Sequence, residues 1–551
     1  MLTATHHRPK HHHLTNTRTS RIAATACALA ALLAGPLPVR AATGDLDTTF
    51  GDSGYVNTDF FNRDDGGRSV AIQSDGKIVV GGYVYKQSSD ASVDFGLVRY
   101  DTNGALDAGF GSGGRVTTDF ASNLDEIEAI AIQDDGKIVA AGFAVRPATG
   151  YDVALARYMP DGTLDGTFGS GGKAVFDLGS DDDFAEAVSI LPGGSILVGG
   201  GTFTDDEGDF MVMRLTPAGM IDSSFGSDGM VTTDFFHIYD ELADMAVTDD
   251  GHIVVVGFAG KNSVTDLFGV ARYNSNGTPD TSFGNGGKFA EDAAGLRGDA
   301  GAVVVQPDGA VVVGGFSSGR GFDFTLARLT GEGDLDATFG TGGIVQTDFF
   351  GFEDKVSALA LDGDKIVAAG RAFHSTSSAS GDIAVARYNA DGTLDTTFAA
   401  TGMTSVDFYD REDEANEIAI DSDGNYVVAG TANRSTDEDF AVVRFEGDPV
   451  EPDFSVAFAA PTLTVAKGQK GQIEVRVDRI ANFDGEVTVT APDTKPIKVK
   501  LTPASASTTG ASVTFNYKIK KKAALGSYQL TFTGMDGTGR TRSATLTLIV
   551  Q

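Results

Sequence analysis

The chain has no tryptophan and one cysteine, Cys27, among 551 residues. A lone thiol excludes an internal disulfide and any zinc site built from several cysteines. Positive charge is scarce as well: 42 Lys and Arg face 76 Asp and Glu, for a net charge of −34. That sign excludes a nucleic-acid partner, whose phosphates require a basic surface. It suits cations, cationic surfaces or simple solubility. Beyond the N-terminus no run reaches the roughly 18 apolar residues of a membrane helix. A helical 3.6-residue period is missing too.

What is present at the N-terminus reads as a targeting segment. Arg8, Lys10, Arg18 and Arg21 precede the apolar stretch "IAATACALAALLAG" (22–35), and "PLPVRA" follows with Val39 and Ala41 at small-residue positions. This predicts a signal peptide over 1–41, cleaved after Ala41, and an exported protein that is periplasmic, cell-surface or extracellular. A lipoprotein is discounted because Ala24 stands where a leucine is needed ahead of Cys27. Cleavage removes Cys27 and five histidines, leaving His237, His252 and His374.

The body of the chain repeats itself. The phenylalanine of "LDTTF" recurs at Phe50, Phe110, Phe168, Phe225, Phe283, Phe339 and Phe398, at steps of 60, 58, 57, 58, 56 and 59. Three residues before each stands an aspartate: Asp47, Asp107, Asp165, Asp222, Asp280, Asp336 and Asp395. Nine after it stands another, in "TDF" or its equivalent: Asp59, Asp119, Asp177, Asp234, Asp292, Asp348 and Asp407. Each copy also carries an arginine, at Arg99, Arg157, Arg214, Arg272, Arg328, Arg387 and Arg444.

Within a copy, "GRVTTDF", "IEAIAIQ", "KIVAAGF" and "DVALARY" (114–158) read as four short strands bounded by Gly and Asp. Apolar residues fall on both faces, so both faces are covered. Seven such units predict an all-β chain with a seven-bladed β-propeller over residues 42–446. Blades are expected from contiguous sequence, with at most a small closing strand from the first residues after the signal. On this reading "LDxxFG" crosses from the outer strand of one blade to the inner strand of the next. The repeated Arg is expected to pair with the "LD" or the "TDF" aspartate.

These units resemble the bacterial secreted proteins with delta-60 repeats, which carry "LDxxFGxxG", "DGKIVxxG" and "DFxLxRY". The resemblance implies a propeller and export, and it brings no catalytic residues. Departures are Ala399 in place of the glycine after Phe398, and "LPGGSILVGG" (191–200) in place of the "DGK" pattern.

After an acidic linker (447–453) the pattern changes. Residues 454–551 read as about seven alternating strands, an immunoglobulin-like β-sandwich resembling bacterial surface modules. Its "KIKKK" (518–522) is a solvated loop or a basic patch.

Chemistry is thinly marked. Asp101, Asn103 and Asp107 have a calcium-like spacing, but equivalent loops do not repeat the donors, so a turn is expected and calcium is the weaker reading. "DSDGN" (421–425) sits at a hairpin turn. No catalytic residue, cofactor or further metal site is assigned. The symmetry breaks in the loops between "KIVxxG" and the next "DF", which all emerge on one face; they are a binding surface or the product of drift. The expected function is a non-enzymatic binding scaffold for an extracellular polymer or envelope protein. The alternative is a glycan-active enzyme using carboxylates in the propeller cavity, betrayed by asymmetric acidic residues there.

Overall fold

The structure, a computed structural model, describes residues 41–551 except 87–92, 121–123, 180–181, 204–206, 263–264, 292–295, 318–321, 376–380, 410, 435–436, 450–452, 459, 461, 481–482 and 484. The expected signal peptide with Cys27, Asp292 and part of the expected linker therefore lie outside the described residues. The described residues contain strands and no α-helix, so no helix is long and apolar enough to cross a membrane.

Four-stranded antiparallel sheets repeat along the chain. One comprises Asp125–Ile132, Ile138–Arg146, Gly150–Tyr158 and Lys173–Phe176, paired in that order. Six further sheets have the same plan. The first strand of each lies against the first strand of the next, from Asp65–Ile72 round to Asp413–Ile420 and back. These are the inner strands of a ring. The apolar second and third strands are buried throughout, because neighbouring sheets cover both faces: Val139 packs with Val198 and Val153, while Ala140 packs with Val79 and Leu97.

One expectation about chain path needs correction. The "LDxxFG" loop does not cross between sheets: it joins the third strand to the fourth strand of the same sheet, as Gly150–Tyr158 to Lys173–Phe176. The crossing is made by the "TDF" segment that follows. Short strands flank the loop on both sides, and a repeat length fixes the period without fixing where a sheet begins. One sheet is completed by a small closing strand, as the sequence allowed. The last inner strand's sheet takes its fourth strand from Tyr55–Thr58, which pairs Tyr55 with Val443.

Two glycines of the repeat have steric causes. The residue after the marker phenylalanine is left-handed, with φ of 50° at Gly111 and Gly169, where a side chain is strained. Ala399 occupies the same place at φ 48°. The glycine ending "KIVxxG" faces a β-bulge in the inner strand: a Cβ on Gly142 would stand 2.0 Å from the Glu126 carbonyl oxygen, and one on Gly430 would stand 1.8 Å from that of Glu414.

The arginines tie the ring together. Arg99, Arg157, Arg214, Arg272, Arg328, Arg387 and Arg444 meet Asp107, Asp165, Asp222, Asp280, Asp336, Asp395 and Asp47 at 2.6 to 2.9 Å. Each guanidinium also covers its sheet's marker phenylalanine, at 4.5 Å from the Phe110 ring centre and 5.3 Å from that of Phe398. A third contact reaches the neighbouring sheet: Arg157 donates to the Pro217 carbonyl at 2.5 Å and Arg444 to that of Thr102 at 2.7 Å. Arg387 differs, donating to the Tyr426 hydroxyl at 2.9 Å.

Residues 453–550 form two more sheets of nine strands in all, where about seven were expected. Ser505–Thr508 was not legible because it carries no apolar alternation. The inward residues Val475, Phe515, Phe532 and Leu548 come from both sheets and share one core. Lys520, Lys521 and Lys522 are exposed at a turn.

Removing one buried partner of an ion pair costs about 3 kcal/mol. Arg157→Met and Arg387→Met are each expected to lower the denaturation midpoint by that order, read in urea titrations. An unchanged midpoint for both would show that these pairs do not hold the ring.

Candidate functional site

The inner strands converge on a cavity of 320 Å³. Each carries a β-bulge at the same point, between Gly67 and Ser69, Ile127 and Ala129, Ala185 and Ala187, Leu242 and Asp244, Ala300 and Ala302, Val356 and Ala358, and Ala415 and Glu417. A bulge leaves one residue unpaired and re-aims its side chain. The residues so released are Arg68, Glu128, Glu186, Ala243, Gly301, Ser357 and Asn416, and all seven line the cavity. Asp244 and Glu417 join them one step along the strand, and Lys355 and Glu414 lie two residues before the bulge on theirs.

The backbone is symmetric here and the side chains are not. Acids gather on one side around Glu128 and Glu186. Arg68 approaches Glu128 at 3.6 Å and Glu126 at 3.7 Å. Burial raises Glu128 to about 7, with Arg68 opposing it, and raises Glu186 well above the usual range, with Glu128 and Glu241 adding to the effect. Across the cavity Glu417 accepts the Ile418 N–H at 3.0 Å, and burial raises it to about 8. Asp244 accepts from Met245 and Val303 and is raised to about 6, again by burial. The cavity is thus rich in carboxyls that burial keeps partly protonated near neutrality, beside the cations Arg68 and Lys355, and it suits a proton-exchanging group.

Aromatic rings run beside it across three consecutive sheets. Phe143 and Tyr151 meet Phe184 at 5.3 and 4.9 Å between ring centres. Phe184 meets Phe203 at 5.5 Å, Phe203 stacks on Tyr239 at 4.9 Å, and Tyr239 stacks on Phe258 at 5.5 Å. Phe184 lies two residues before the cavity residue Glu186, and the Tyr239 hydroxyl donates to Glu241 at 3.3 Å. Tyr239 is exposed, Tyr151, Phe184 and Phe258 are half-buried, and Phe143 and Phe203 are buried beneath them in the row.

Strand pairing sets the face. Asp182 at the start of an inner strand pairs with Phe203 at the end of the second strand, which pairs with Gly208 at the start of the third. The ledge and the loops of variable length therefore share one face. The "LDxxF" loops and the Arg–Asp pairs occupy the opposite face, where Lys77 and Lys137 of "DGK", and Lys365 of the shortened "GDK" turn, add contacts to Asp107, Asp165 and Asp395. His252 replaces such a lysine and faces Asp280 at 3.6 Å.

The structure distributes the residues singled out in the sequence as follows. Asp101 accepts the N–H groups of Asn103 and Ala105 in its own turn, and Asp107 faces Arg99. The "TDF" aspartates Asp59, Asp119, Asp177, Asp234 and Asp348 each lie in a three-carboxylate cluster on the variable face, and Asp407 faces Asp382 and Asp413 there. His237 sits against Asp234 at 2.5 Å and His374 against Asp382 at 3.4 Å. The bulge residues and the ledge were not singled out in the sequence. Their signal was the departure of single copies at fixed positions, such as Phe184 where other copies have Glu126 and Glu241.

An all-β chain of repeated four-stranded sheets around a central cavity has the features of a β-propeller. The profile described as "Domain of unknown function (DUF5122) beta-propeller" matches residues 73–110, 133–168, 192–225, 248–283, 306–339 and 364–398. The chain therefore carries DUF5122 β-propeller repeats. The equivalent segment after 398 is split between the ends of the ring, and the structure rejoins it through Arg444 and Asp47. Among solved structures, the chain is similar to a polysaccharide lyase, an ulvan lyase, at 11% identity and a TM-score of 0.36, covering 72% of this chain and 96% of that one. It is also similar to a glucose dehydrogenase at 11% identity and a TM-score of 0.31, covering 71% and 98%. Domains 4 and 5 of the S-layer protein SbsC match at 16% identity and a TM-score of 0.14, covering 41% and 88%. We assign nothing to this chain from likenesses at these scores. No curated protein matches.

The proton held by Glu417 yields a pH signature. A carboxyl raised by folding contributes stability fully below its ordinary value and loses it as pH rises through its folded value, about 8 here. Relative to Glu417→Gln, the wild type is expected to lose on the order of a few kcal/mol between about pH 5 and 9. The readout is the urea midpoint of both proteins against pH. A difference independent of pH would contradict the assignment.

Proposed function

We propose that this is an exported, non-enzymatic glycan-binding scaffold, which takes its ligand along the aromatic ledge with one residue at the acidic cavity. The continuous row from Tyr151 to Phe258 carries this reading. Sugar rings present C–H faces that stack on aromatic rings, and a linear polymer needs several such platforms in line. The carboxyl-rich cavity offers hydrogen bonds to sugar hydroxyls, and any carboxylate that ionises there disfavours uronates. In this reading each four-stranded sheet is one blade of a seven-bladed propeller over residues 42–446. Residues 447–453 are a linker, and 454–551 are an immunoglobulin-like sandwich acting as a spacer or second contact.

A second reading has its own support. Glu128 and Glu186 share the cavity, and burial sets them apart, Glu128 at about 7 and Glu186 well above the usual range; one carboxyl that keeps its proton beside one that ionises is what a glycan-cleaving acid and base require.

The test is binding of the mature chain to a neutral glucan, a chitosan oligomer and a polyuronate, with product analysis of each mixture. Saturable binding to the first two and weaker binding to the polyuronate is expected. Tyr239→Ala is expected to weaken it about tenfold, the effect of ~1.4 kcal/mol. Equal affinity of Tyr239→Ala and wild type would overturn the ledge. Chain cleavage that is lost in Glu186→Gln would establish the enzyme instead.

A further inference from the structure

We propose that Asp323, Asp348 and Asp354 bind a calcium ion that ties one sheet to the next on the variable face. Asp323 opens the third strand of a sheet (Asp323–Leu329), Asp348 follows that sheet's fourth strand (Ile344–Thr347), and Asp354 opens the inner strand of the following sheet (Asp354–Asp362). The three carboxylates come from both sides of the crossing segment. One oxygen of each lies within 4.8 Å of the others. Calcium bonds oxygen at about 2.3–2.6 Å, so donors around one ion lie no more than about 5 Å apart.

The buried member supplies the independent observation. Asp354 is 2% exposed. Its Oδ2 accepts the Phe349 N–H at 2.9 Å, while its Oδ1 is buried with no hydrogen-bond partner. A buried carboxylate oxygen left without a donor is costly, and a cation removes that cost. Calcium suits the site because the donors are hard oxygens without nitrogen or sulfur. Asp348 is exposed and leaves room for the waters that complete the shell.

The same place at other crossings shows what it demands. Lys86 is held against Asp94 in the Asp94–Asp119–Asp125 cluster, and Arg146 against Asp152 in Asp152–Asp177–Asp183. Arg434 meets Asp439 at 2.8 Å beside Asp59 and Asp437. There the chain supplies its own cation. Among the described residues no lysine or arginine is paired with Asp323, Asp348 or Asp354. The Asp209–Asp234–Asp240 cluster is a weaker case, because both Asp240 oxygens already accept backbone N–H groups from Phe235 and Gly260.

The experiment compares mature wild type with Asp348→Asn and Asp354→Asn after EGTA treatment, by calorimetric titration with calcium chloride and by thermal melting. Asparagine at 348 keeps the acceptor used by its turn and removes the charge, so that variant is expected to fold. Wild type is expected to melt higher in millimolar calcium than in equal magnesium. Each variant is expected to bind one calcium fewer and to lose part of the calcium-dependent rise. An EGTA-treated wild type that takes up no calcium, or an Asp348→Asn protein that binds as many ions as wild type, would overturn the proposal. Neither outcome bears on the glycan reading, whose ligand lies at the ledge.

Discussion

A contact that leaves no room for a side chain organises this molecule. In every inner strand the bulge brings a carbonyl to about the van der Waals limit of a bare Cα on the second strand, as Glu126 does against Gly142 and Lys355 against Gly370. Glycine at that place lets the inner strand bulge, and the bulge turns one side chain per sheet into the cavity. The backbone geometry is therefore common to all sheets, and the residue it presents is free to vary. Arginine, two glutamates, alanine, glycine, serine and asparagine occupy the seven positions. A symmetric frame thereby carries an asymmetric interior at no cost to its packing.

The two faces of the ring divide the work. On one, arginine, aspartate and phenylalanine recur in fixed geometry and join each sheet to its neighbour. Asp165 is held below its usual carboxylate value by the Thr167 hydroxyl and N–H and by Arg157, against the opposing effect of burial. Charge there is paired and neutralised. On the other face carboxylates cluster with fewer cations, and burial lifts Asp354 and Asp413 to about 7. Loop length, aromatic content and charge all vary on that second face, and the cavity and the ledge lie beside it. The repeated ion pairs and the variable surface are thus separated along the strand direction, so changes in the loops leave the arginine face intact.

Much of this frame was legible in the sequence. The period, the strands and the all-β class followed from residues held in register, and so did an Arg–Asp pair per copy, though the choice between the "LD" and the "TDF" aspartate needed the structure. The phase was not legible: strands on both sides of "LDxxFG" are short and alternating, and only their hydrogen bonds show which belong together. The bulges were hidden because one extra residue in "EIEAI" still reads as an alternating strand. The ledge was hidden because Phe184 and Phe258 look like ordinary core residues, and their alignment across sheets is a property of the ring. Asymmetric acids in the cavity were named in the sequence reading as the sign of the enzyme alternative, and which copies would supply them depended on the bulge.

The closing strand has a consequence for how the protein is made. Tyr55–Thr58 is synthesised before the intervening repeats, and its partner Asp437–Phe445 comes after all of them. Until the two meet, the edge of Asp437–Phe445 is bare and the ring has a seam. The same early strand on a second molecule offers the same register to that edge. Closure within one chain thus competes with exchange between chains, and dilution during folding decides which wins.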